Sequence, residues 1–370
     1  MSNPINNARF VGNDIYRVSG FGNNHPLAFP RMATLMSLCE LLGWLDEHNF
    51  AVSPEADIDL LTRFHDADYV SAFKTADARG QADQELRKRY RIGTMENPLF
   101  PDVFQRAATA VGGSLLAARL ALKGHLAFHP SGGTHHGRPD RASGFCYFND
   151  PVFAILGLLD GGMERIFYAD LDAHHGDGVQ DAFATDPRVF TLSIHEERRW
   201  PHSGAVDDRA GGAARNLPVP KGFNDSELDF LMSRAVLPLA QAFEPQAMVI
   251  TCGADGLAGD PLSRLALSNV GLWRAVQQLI QLTGRNVVLG GGGYNPWTTA
   301  RCWAGLWGIL SGREMPGQLP TEAQTLLRGL ECDLVDEEDV DPCWLIQLAD
   351  PAAPGEIRDQ VQVVARAVLH

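Results

Sequence analysis

The hydrophobic and polar residues of this chain form two patterns that alternate along most of its length. Short apolar runs are typical of strands buried in a parallel sheet, and apolar residues three or four positions apart are typical of helices. The runs predict strands at 125–130, 166–169, 189–194, 247–255 and 286–293, with one in the first thirty residues and one beginning at 217. The periodic segments predict helices at 31–48, within 57–73, at 104–123, 150–159, 179–183, 226–243 and 269–282, and from about 296.

This alternation predicts an α/β fold, with one open, mostly parallel sheet and helices on both faces. Ser226, with acidic residues after it, is the expected cap of the helix at 226–243. The polar segment 76–93 is predicted as either an exposed helix or a surface loop, and the tail after Gly312 as loop-rich. Because no linker or repeat interrupts the pattern, residues 1–370 are predicted to form a single domain.

Composition narrows the classes of function. The chain is 45% hydrophobic and 21% charged, as in an ordinary soluble protein, and its formal net charge of −14 argues against direct nucleic-acid binding. No two of its six cysteines form a CxxC pair, which predicts that they are free thiols in a reducing compartment. The start of the chain lacks a signal-peptide pattern, and the apolar stretch 115–128 is too short to cross a bilayer. A cytoplasmic protein with no membrane contact is therefore expected.

The candidate chemistry is concentrated in residues 165–178, RIFYADLDAHHGDG. If the buried strand continues to Asp172, strand alternation puts Asp170, Asp172 and His174 on one face. Two carboxylates and an imidazole suit a divalent metal. The alternative is a polar turn with an acidic helix cap, but so many ionisable groups beside an apolar strand would be costly to bury without a function.

Polar side chains also follow three other predicted strands. His135 and His136 come after the strand at 125–130, Asp255 and Asp260 after Cys252, and Tyr294 after four glycines. Active sites of open α/β sheets lie outside the carboxyl ends of the strands, so these side chains are expected to meet. Together they predict a metal site with acid–base and oxyanion-binding groups around it.

Four motifs make the chain resemble the histone deacetylase family, which includes bacterial acetoin-utilisation-type deacetylases and acetylpolyamine amidohydrolases. They are GGTHHGRPDRASGFCYFND, YADLDAHHGDGVQDAF, GADGLAGDP, and LGGGGYN followed by TARCW. They occur in family order, from about residue 20 to residue 312, and look more like the class I and acetoin-type branch than the class II branch. The resemblance implies the arginase-deacetylase type of fold.

The resemblance also implies a metal and an oxyanion donor. Asp172, His174 and Asp255 would bind a catalytic Zn²⁺, with Fe²⁺ as the alternative, and the metal would activate water. Tyr294 would donate a hydrogen bond to the oxyanion.

A pair of histidines would complete the catalytic set. His136 would act as general base and then general acid, and His135 would act mainly through its charge. Asp170 would orient His135 and Asp177 would orient His136, each carboxylate raising the pKa of its imidazole and fixing its tautomer. His175 receives no role.

The substrate tunnel is assigned in the same way. Phe145 and Trp200 match its two aromatic walls, although either could be a core residue, and Gly144 would accept a substrate hydrogen bond through its carbonyl. The sequence WPHSG, which contains Trp200, departs from the family's aromatic-Pro-Gly-Thr-Gly. The width and polarity of the rim are therefore expected to differ from those of the family.

Three further positions bear on the substrate. Leu262 stands where polyamine-specific members carry an acidic residue, which favours an acyl-lysine or neutral substrate. Glu96 stands where many relatives have an aspartate that binds substrate backbone amides. Arg31 matches the arginine of an internal acetate-release cavity, although an arginine at a helix start could equally face solvent.

The family also binds K⁺, mostly through backbone carbonyls. One site would involve Asp170, Asp172, His174, Ser193 and Ile194, and a second, distant site Phe183, Asp186 and Val189.

The leading hypothesis is a zinc-dependent amidohydrolase that removes acetyl or another short acyl group from an amine, with acyl-lysine in a peptide or protein favoured. An acetylpolyamine or small-amide hydrolase is the alternative. An arginase-like two-metal enzyme is disfavoured because Gly176 and Gly256 stand where further aspartates would be needed. A non-enzymatic acyl-lysine binder is disfavoured because the catalytic set is complete.

Overall fold

The structure, a computed structural model, describes residues 7–18, 20–22 and 25–369. Its centre is a sheet of eight strands in the order β2-β1-β3-β8-β7-β4-β5-β6. The strands are β1 (Ala8–Gly12), β2 (Phe50–Val52), β3 (Leu126–His129), β4 (Ile166–Asp170), β5 (Val189–Glu196), β6 (Ala214–Val219), β7 (Ala247–Thr251) and β8 (Asn286–Leu289). Every neighbouring pair is parallel, which confirms the predicted fold class.

Helices cover both faces of this sheet. They are α1 (Arg31–Leu41), α2 (Ile58–Leu61), α3 (Ala67–Arg79), α4 (Gln84–Tyr90), α5 (Val103–Leu122), α6 (Asp150–Asp160), α7 (Asp177–Ala182), α8 (Asp225–Leu231), α9 (Leu237–Phe243), α10 (Asn269–Ile280), α11 (Pro296–Leu310), α12 (Thr321–Arg328) and α13 (Asp359–Ala367). None of these helices, within the described ranges, is both long and apolar enough to cross a membrane.

Strand β4 shows why its apolar run is continuous. Phe167 and Ala169 pack into a core that includes residues of α1, α8, α10 and α11, whereas Ile166 and Tyr168 pack into a second core with α5 and α6. Because alternate side chains of a strand point to opposite faces, both faces of β4 must be apolar. This strand is therefore buried on both sides, and its carboxyl end opens directly into the polar loop at 171–176.

The structure corrects several predicted boundaries. The cap at the start of α8 is Asn224, whose side chain accepts from the Glu227 amide while Glu227 reaches back to the Asn224 amide, so the prediction of Ser226 was wrong. A π-helical turn, Met232–Val236, joins α8 to α9. The segment 57–73 holds α2 and the start of α3, and α1 ends seven positions before residue 48, at Leu41.

Candidate functional site

Four adjacent strands in the middle of the sheet, β3, β8, β7 and β4, carry the candidate residues on the loops at their carboxyl ends. Strand β4 ends at Asp170, one residue beyond the predicted run, so the strand does not continue to Asp172 and a loop places the next two candidates. The expectation that residues distant in sequence meet at this edge is confirmed, since Asp172, His174 and Asp255 lie together.

These three side chains form a compact cluster of donor atoms. The donor atoms of Asp172, His174 and Asp255 all lie within 4.8 Å of one another, and all three residues are buried. Nδ1 of His174 is 2.9 Å from Oδ2 of Asp255 and 3.3 Å from Oδ1 of Asp172. Among the described residues this is the one group of three metal-binding side chains so close together.

Backbone amides hold the two carboxylates of the cluster in place. Gly292 donates to Oδ2 of Asp172 at 2.6 Å, and Ala173 donates to Oδ1 of Asp255 at 2.9 Å. Such outer hydrogen bonds are typical of carboxylates that bind metals. Gly292 also leaves the space that Asp255 needs, because a Cβ there would lie 2.0 Å from its Oδ2.

The net charge of these three side chains indicates whether a cation would bind between them. Burial and the charge of Asp172 raise the pKa of Asp255 to about 6. Burial alone would lower the pKa of His174, but the two carboxylates outweigh it and raise that pKa to about 10. Negative charge is therefore in excess at this point, and a divalent cation with oxygen and nitrogen ligands suits it.

Each histidine of the predicted pair has its own carboxylate. Nδ1 of His135 is 2.7 Å from Oδ2 of Asp170, and Nδ1 of His136 is 2.7 Å from Oδ1 of Asp177. The two rings are adjacent, with centroids 3.9 Å apart. The assigned pairing of carboxylates with histidines therefore agrees with the contacts.

The two imidazoles differ in protonation. Burial opposes the charge of His135, but Asp170 and Asp172 outweigh it and raise its pKa to about 9. Burial and the charge of His135 lower the pKa of His136 to about 3 despite the bond to Asp177. Asp177 does raise the pKa of His136, as expected, but burial and the charge of His135 outweigh its contribution. At neutral pH His136 is neutral and His135 is charged.

Tyr294 lies at the end of the glycine run after β8. Its backbone amide donates to Oδ2 of Asp260 at 2.7 Å, and its ring lies 6.4 Å from that of His174 and 5.9 Å from that of Phe145. Burial raises the pKa of Tyr294 well above its ordinary value, so the hydroxyl keeps its proton and remains a hydrogen-bond donor.

A cavity of about 340 Å³ leads to these groups. Its lining residues are Glu96, His136, Gly144, Phe145, His174, Arg199, Trp200, Leu262 and Tyr294. Trp200 contacts the ring of His136 edge-on at 4.6 Å, and a Cβ on Gly144 would lie 2.3 Å from the Trp200 ring. This cavity, called the tunnel below, therefore has aromatic walls and reaches His174 of the donor cluster.

Comparisons with known proteins agree with this geometry. The family model of the histone deacetylase domain matches residues 25–310. Histone deacetylase 8 of Xenopus tropicalis is 33% identical over 300 residues, which cover 79% of this chain and 81% of that protein. The acetoin utilization protein AcuC of Bacillus subtilis is 32% identical over 326 residues, which cover 83% of this chain and 84% of that protein.

Solved structures agree as well. The crystal structure of an HDAC homolog from Aquifex aeolicus matches with a TM-score of 0.92 and 36% identity, covering 98% of this chain and 99% of that chain. An HDAC homolog complexed with SAHA matches with the same TM-score, 35% identity and the same coverage.

The chain belongs to the histone deacetylase family. Its resemblance to that family, carried by four motifs in the sequence, is confirmed.

Arg31 is half-buried and lies at a second cavity. Its guanidinium donates to the carbonyl oxygen of Gly291 at 2.9 Å and stands over the Trp303 ring. Burial lowers its pKa. A cavity of about 120 Å³ beside it is lined mainly by aromatic and aliphatic residues, together with Arg106, Ser131 and Thr134. Of the two roles left open for Arg31, this position favours the internal one.

The residues matched to K⁺ sites occupy two places. Asp170 pairs with Ser193 across β4 and β5, and Ile194 follows Ser193. The second set lies in a turn, where Asp186 donates its amide to the Phe183 carbonyl and Val189 donates to that of Asp186. Backbone carbonyls can bind K⁺ with almost any side chain, so these positions stay predictions.

Three buried residues support the site without a role assigned from sequence. Oδ1 of Asp150 accepts the Thr134 amide at 2.7 Å and so holds the loop before the histidine pair. Oδ1 of Asp260 accepts the Leu262 amide at 2.9 Å, in addition to the Tyr294 amide at Oδ2. Asp260 is one of the polar side chains expected at this edge of the sheet, whereas an acidic residue ahead of an apolar helix is typical of an ordinary cap, so the sequence gave little signal for Asp150.

His175 is the third of these residues. It lies 2.8 Å from Oγ of Ser203 through Nδ1 and 3.0 Å from Oε1 of Gln180 through Nε2. Its ring centroid lies 4.8 Å from that of His195, with the two rings tilted by 46°, and Nε2 of His195 is 3.0 Å from the Gly204 carbonyl. His175 therefore joins the loop that carries the metal-ligand candidates to the loop that carries Trp200.

Proposed function

We propose that this chain is a metal-dependent amidohydrolase that removes acetyl or another short acyl group from an amine, with an acyl-lysine side chain as the favoured substrate. The observation that supports it most is the tunnel between Phe145 and Trp200, which ends at a carboxylate–imidazole cluster beside His136 and Tyr294. A cavity with aromatic walls suits the alkyl chain of a lysine, whose acylated end would then meet the reacting groups. Residues 1–370 would form one catalytic domain.

Asp172, His174 and Asp255 would hold the metal, with Zn²⁺ the first choice and Fe²⁺ the alternative. Such an ion, when bound, polarises a carbonyl and lowers the pKa of water.

His136 is the proposed general base and acid. Burial opposes the charge of Asp177, but bonds from His136 and Arg138 lower its pKa to about 2, so it stays ionised and accepts the Nδ1 proton of His136. Nε2 of His136 is then free to take a proton from water and to give it to the departing amine. His135 does not line the tunnel, and its charge would act from behind His136.

Tyr294 is the proposed oxyanion donor. Its hydroxyl stays protonated, and its backbone is held by Asp260. A donor fixed before the reaction stabilises developing charge without reorganisation.

The lining of the tunnel mouth supports the preference for acyl-lysine or a neutral substrate. The mouth carries Leu262 and also Arg199, whose guanidinium is held by Glu196 at 2.7 Å and 3.0 Å. Leu262 offers no negative charge to a cationic polyamine at this position, and the charge of Arg199 is already paired with Glu196. Acetylpolyamine and small amides remain the alternative substrates, and no direct nucleic-acid partner is proposed.

K⁺ is proposed as a structural cation at the two places described above. The nearer one, around Asp170 and Ser193, would lie beside the donor cluster and partly offset its negative charge.

Hydrolysis of an acetyl-lysine peptide by the purified, zinc-loaded protein tests the proposal. We expect release of acetate that a chelator abolishes and that Zn²⁺ restores. Parallel reactions with an acetylated polyamine and with longer acyl chains decide the substrate class. Turnover at the wild-type rate after metal removal or in Tyr294→Phe would overturn the mechanism, and tight binding of acetylated peptide without any hydrolysis would favour a binder.

A further inference from the structure

Glu96 lies at the tunnel mouth, but its side chain is directed at the protein backbone. Its Oε1 accepts a hydrogen bond from the backbone amide of Gly144 at 2.7 Å. The residue belongs to the loop between α4 and α5, and its own carbonyl oxygen lies 3.2 Å from Nε2 of His25. Its backbone carbonyl and Oε1 of its carboxylate are therefore both bound within the fold.

The loop around Glu96 is well fixed. Gly93 donates its amide to the carbonyl of Asn97 at 2.8 Å, and the Asn97 amide donates to Oγ1 of Thr94 at 3.0 Å. Asn97 is fully buried. A carboxylate on such a loop reaches Gly144 from a rigid base.

The turn that Glu96 binds is conformationally demanding. Ser143 and Cys146 exchange backbone hydrogen bonds of 3.0 Å and 2.9 Å, and the two residues between them have φ values of +55° (Gly144) and +66° (Phe145). Two consecutive positive φ values are the pattern of a type I′ turn, which Gly and Asn adopt readily and a phenylalanine does not. An additional bond to this turn would therefore help to hold Phe145 where it is.

Both walls of the tunnel depend on the position of this turn. The ring of Phe145 touches that of Tyr294, and a Cβ on Gly144 would lie 2.3 Å from Trp200 and 2.7 Å from His136. A small displacement of the turn would therefore change the width of the tunnel at the histidine pair.

We infer that Glu96 is a positioning residue that fastens the Gly144–Phe145 turn, and that it does not bind the backbone of a peptide substrate. The inference rests on the proposed function for its kinetic consequence. If Glu96 only holds the turn, the tunnel walls determine which substrates bind. Substrates with and without backbone amides should then depend on Glu96 to the same degree.

Two substrates separate the two roles of Glu96. One is an acetyl-lysine within a peptide, and the other is N-acetylbutylamine, which offers the same alkyl amide but no backbone amides. The variant Glu96→Asp keeps the charge but draws the carboxylate back by one methylene from Gly144. We expect KM to rise about tenfold for both substrates, the size of one ordinary hydrogen-bond contribution, with a smaller change in kcat.

Two further variants, Glu96→Gln and Met95→Ala, serve as controls in the kinetic experiment. Glu96→Gln keeps an acceptor oxygen at the original reach and should recover most of the loss on both substrates. Met95→Ala, at a side chain that is 93% exposed, should match the wild type. A loss in Glu96→Asp confined to the peptide would overturn the inference, and so would an unchanged KM on both substrates.

Amide hydrogen exchange provides a readout that needs no turnover. The Gly144 amide should exchange faster in Glu96→Asp than in the wild type and in Met95→Ala. Equal exchange in all three proteins would mean that the hydrogen bond is absent, and would overturn the inference. If the wild type hydrolysed neither substrate, the proposed function would fall, and the Gly144 exchange rate would still decide whether Glu96 holds the turn.

Discussion

Oδ1 of Asp177 lies 2.7 Å from Nδ1 of His136, while its Oδ2 accepts a hydrogen bond from Arg138. The carboxylate is therefore bound on both sides, and it sits at the first turn of α7, where a helix favours negative charge. Because Asp177 stays ionised, it fixes the tautomer of His136 and keeps Nε2 without a proton. The proton-transfer role proposed for His136 depends on this contact.

Asp177→Asn tests that dependence. An asparagine can donate its amide to Nδ1 of His136, which would move the imidazole proton to Nε2 and remove the general base. We expect kcat to fall by about 10²- to 10⁴-fold with a small change in KM, as for loss of general acid–base catalysis. Steady-state kinetics on an acetyl-lysine peptide measure it. Asp181→Asn, at the exposed second partner of Arg138, is the matched control and should keep kcat.

Tyr294→Phe removes only a hydroxyl. The ring contacts with Phe145 and His174 should persist, so the free energy of unfolding should change little. We expect kcat to fall by about 10²- to 10³-fold, the usual cost of losing one oxyanion donor. Kinetics and thermal denaturation together measure both effects. Tyr90→Phe, in α4 and outside the tunnel lining, is the control, and a full loss of folding in Tyr294→Phe would contradict the assignment.

Much of this fold was readable from the sequence because its signals are local. The apolar run that forms β4 and the periodic helix at 103–122 depend on burial patterns that a sequence displays directly. The cap of α8 was missed because Asn224, Asp225 and Ser226 are all good capping residues, and only tertiary contacts choose among them.

The candidate site could be predicted from the sequence to about the same extent as the fold. The positions of Asp172 and Asp255 follow from strand ends that share one edge of a sheet, a rule of topology. The pKa of His136 could not be predicted, because it depends first on burial and then on a charged His135 with a ring centroid 3.9 Å away. The contact of Glu96 with Gly144 depends on the exact path of two loops, which no local pattern encodes.

The number of bound metal ions distinguishes the deacetylase hypothesis, with one metal, from the hypothesis of a two-metal enzyme. One cluster of three ligands in the described part of the chain predicts about one tightly bound divalent ion per chain. Asp255→Ala should lose most of that ion after dialysis, because only Asp172 and His174 remain. Elemental analysis of the dialysed proteins measures it. Two ions per wild-type chain would contradict a single-metal site, and Asp181→Asn should bind as the wild type does.

His65 predicts how stability depends on pH. Nδ1 of this buried ring lies 2.9 Å from the Arg138 carbonyl, and Nε2 accepts the Asn149 amide at 3.1 Å, so the folded protein needs the neutral imidazole. Burial lowers the pKa of His65 to about 3. Between about pH 6.5, the ordinary value for an unfolded chain, and pH 3, the unfolded state binds a proton that the folded state does not. Stability is therefore lost as the pH falls through this window.

The variant His65→Gln removes that proton difference while keeping an acceptor for the Asn149 amide. Its free energy of unfolding should be lower at pH 7, because the bond to Arg138 is lost, but should fall less steeply between pH 6.5 and 4. The slope should decrease by up to about 1.4 kcal/mol per pH unit, the value for one proton. Urea unfolding at a series of pH values measures it. His48→Gln, at an exposed ring, is the control, and an unchanged slope in His65→Gln would show that His65 is not held neutral.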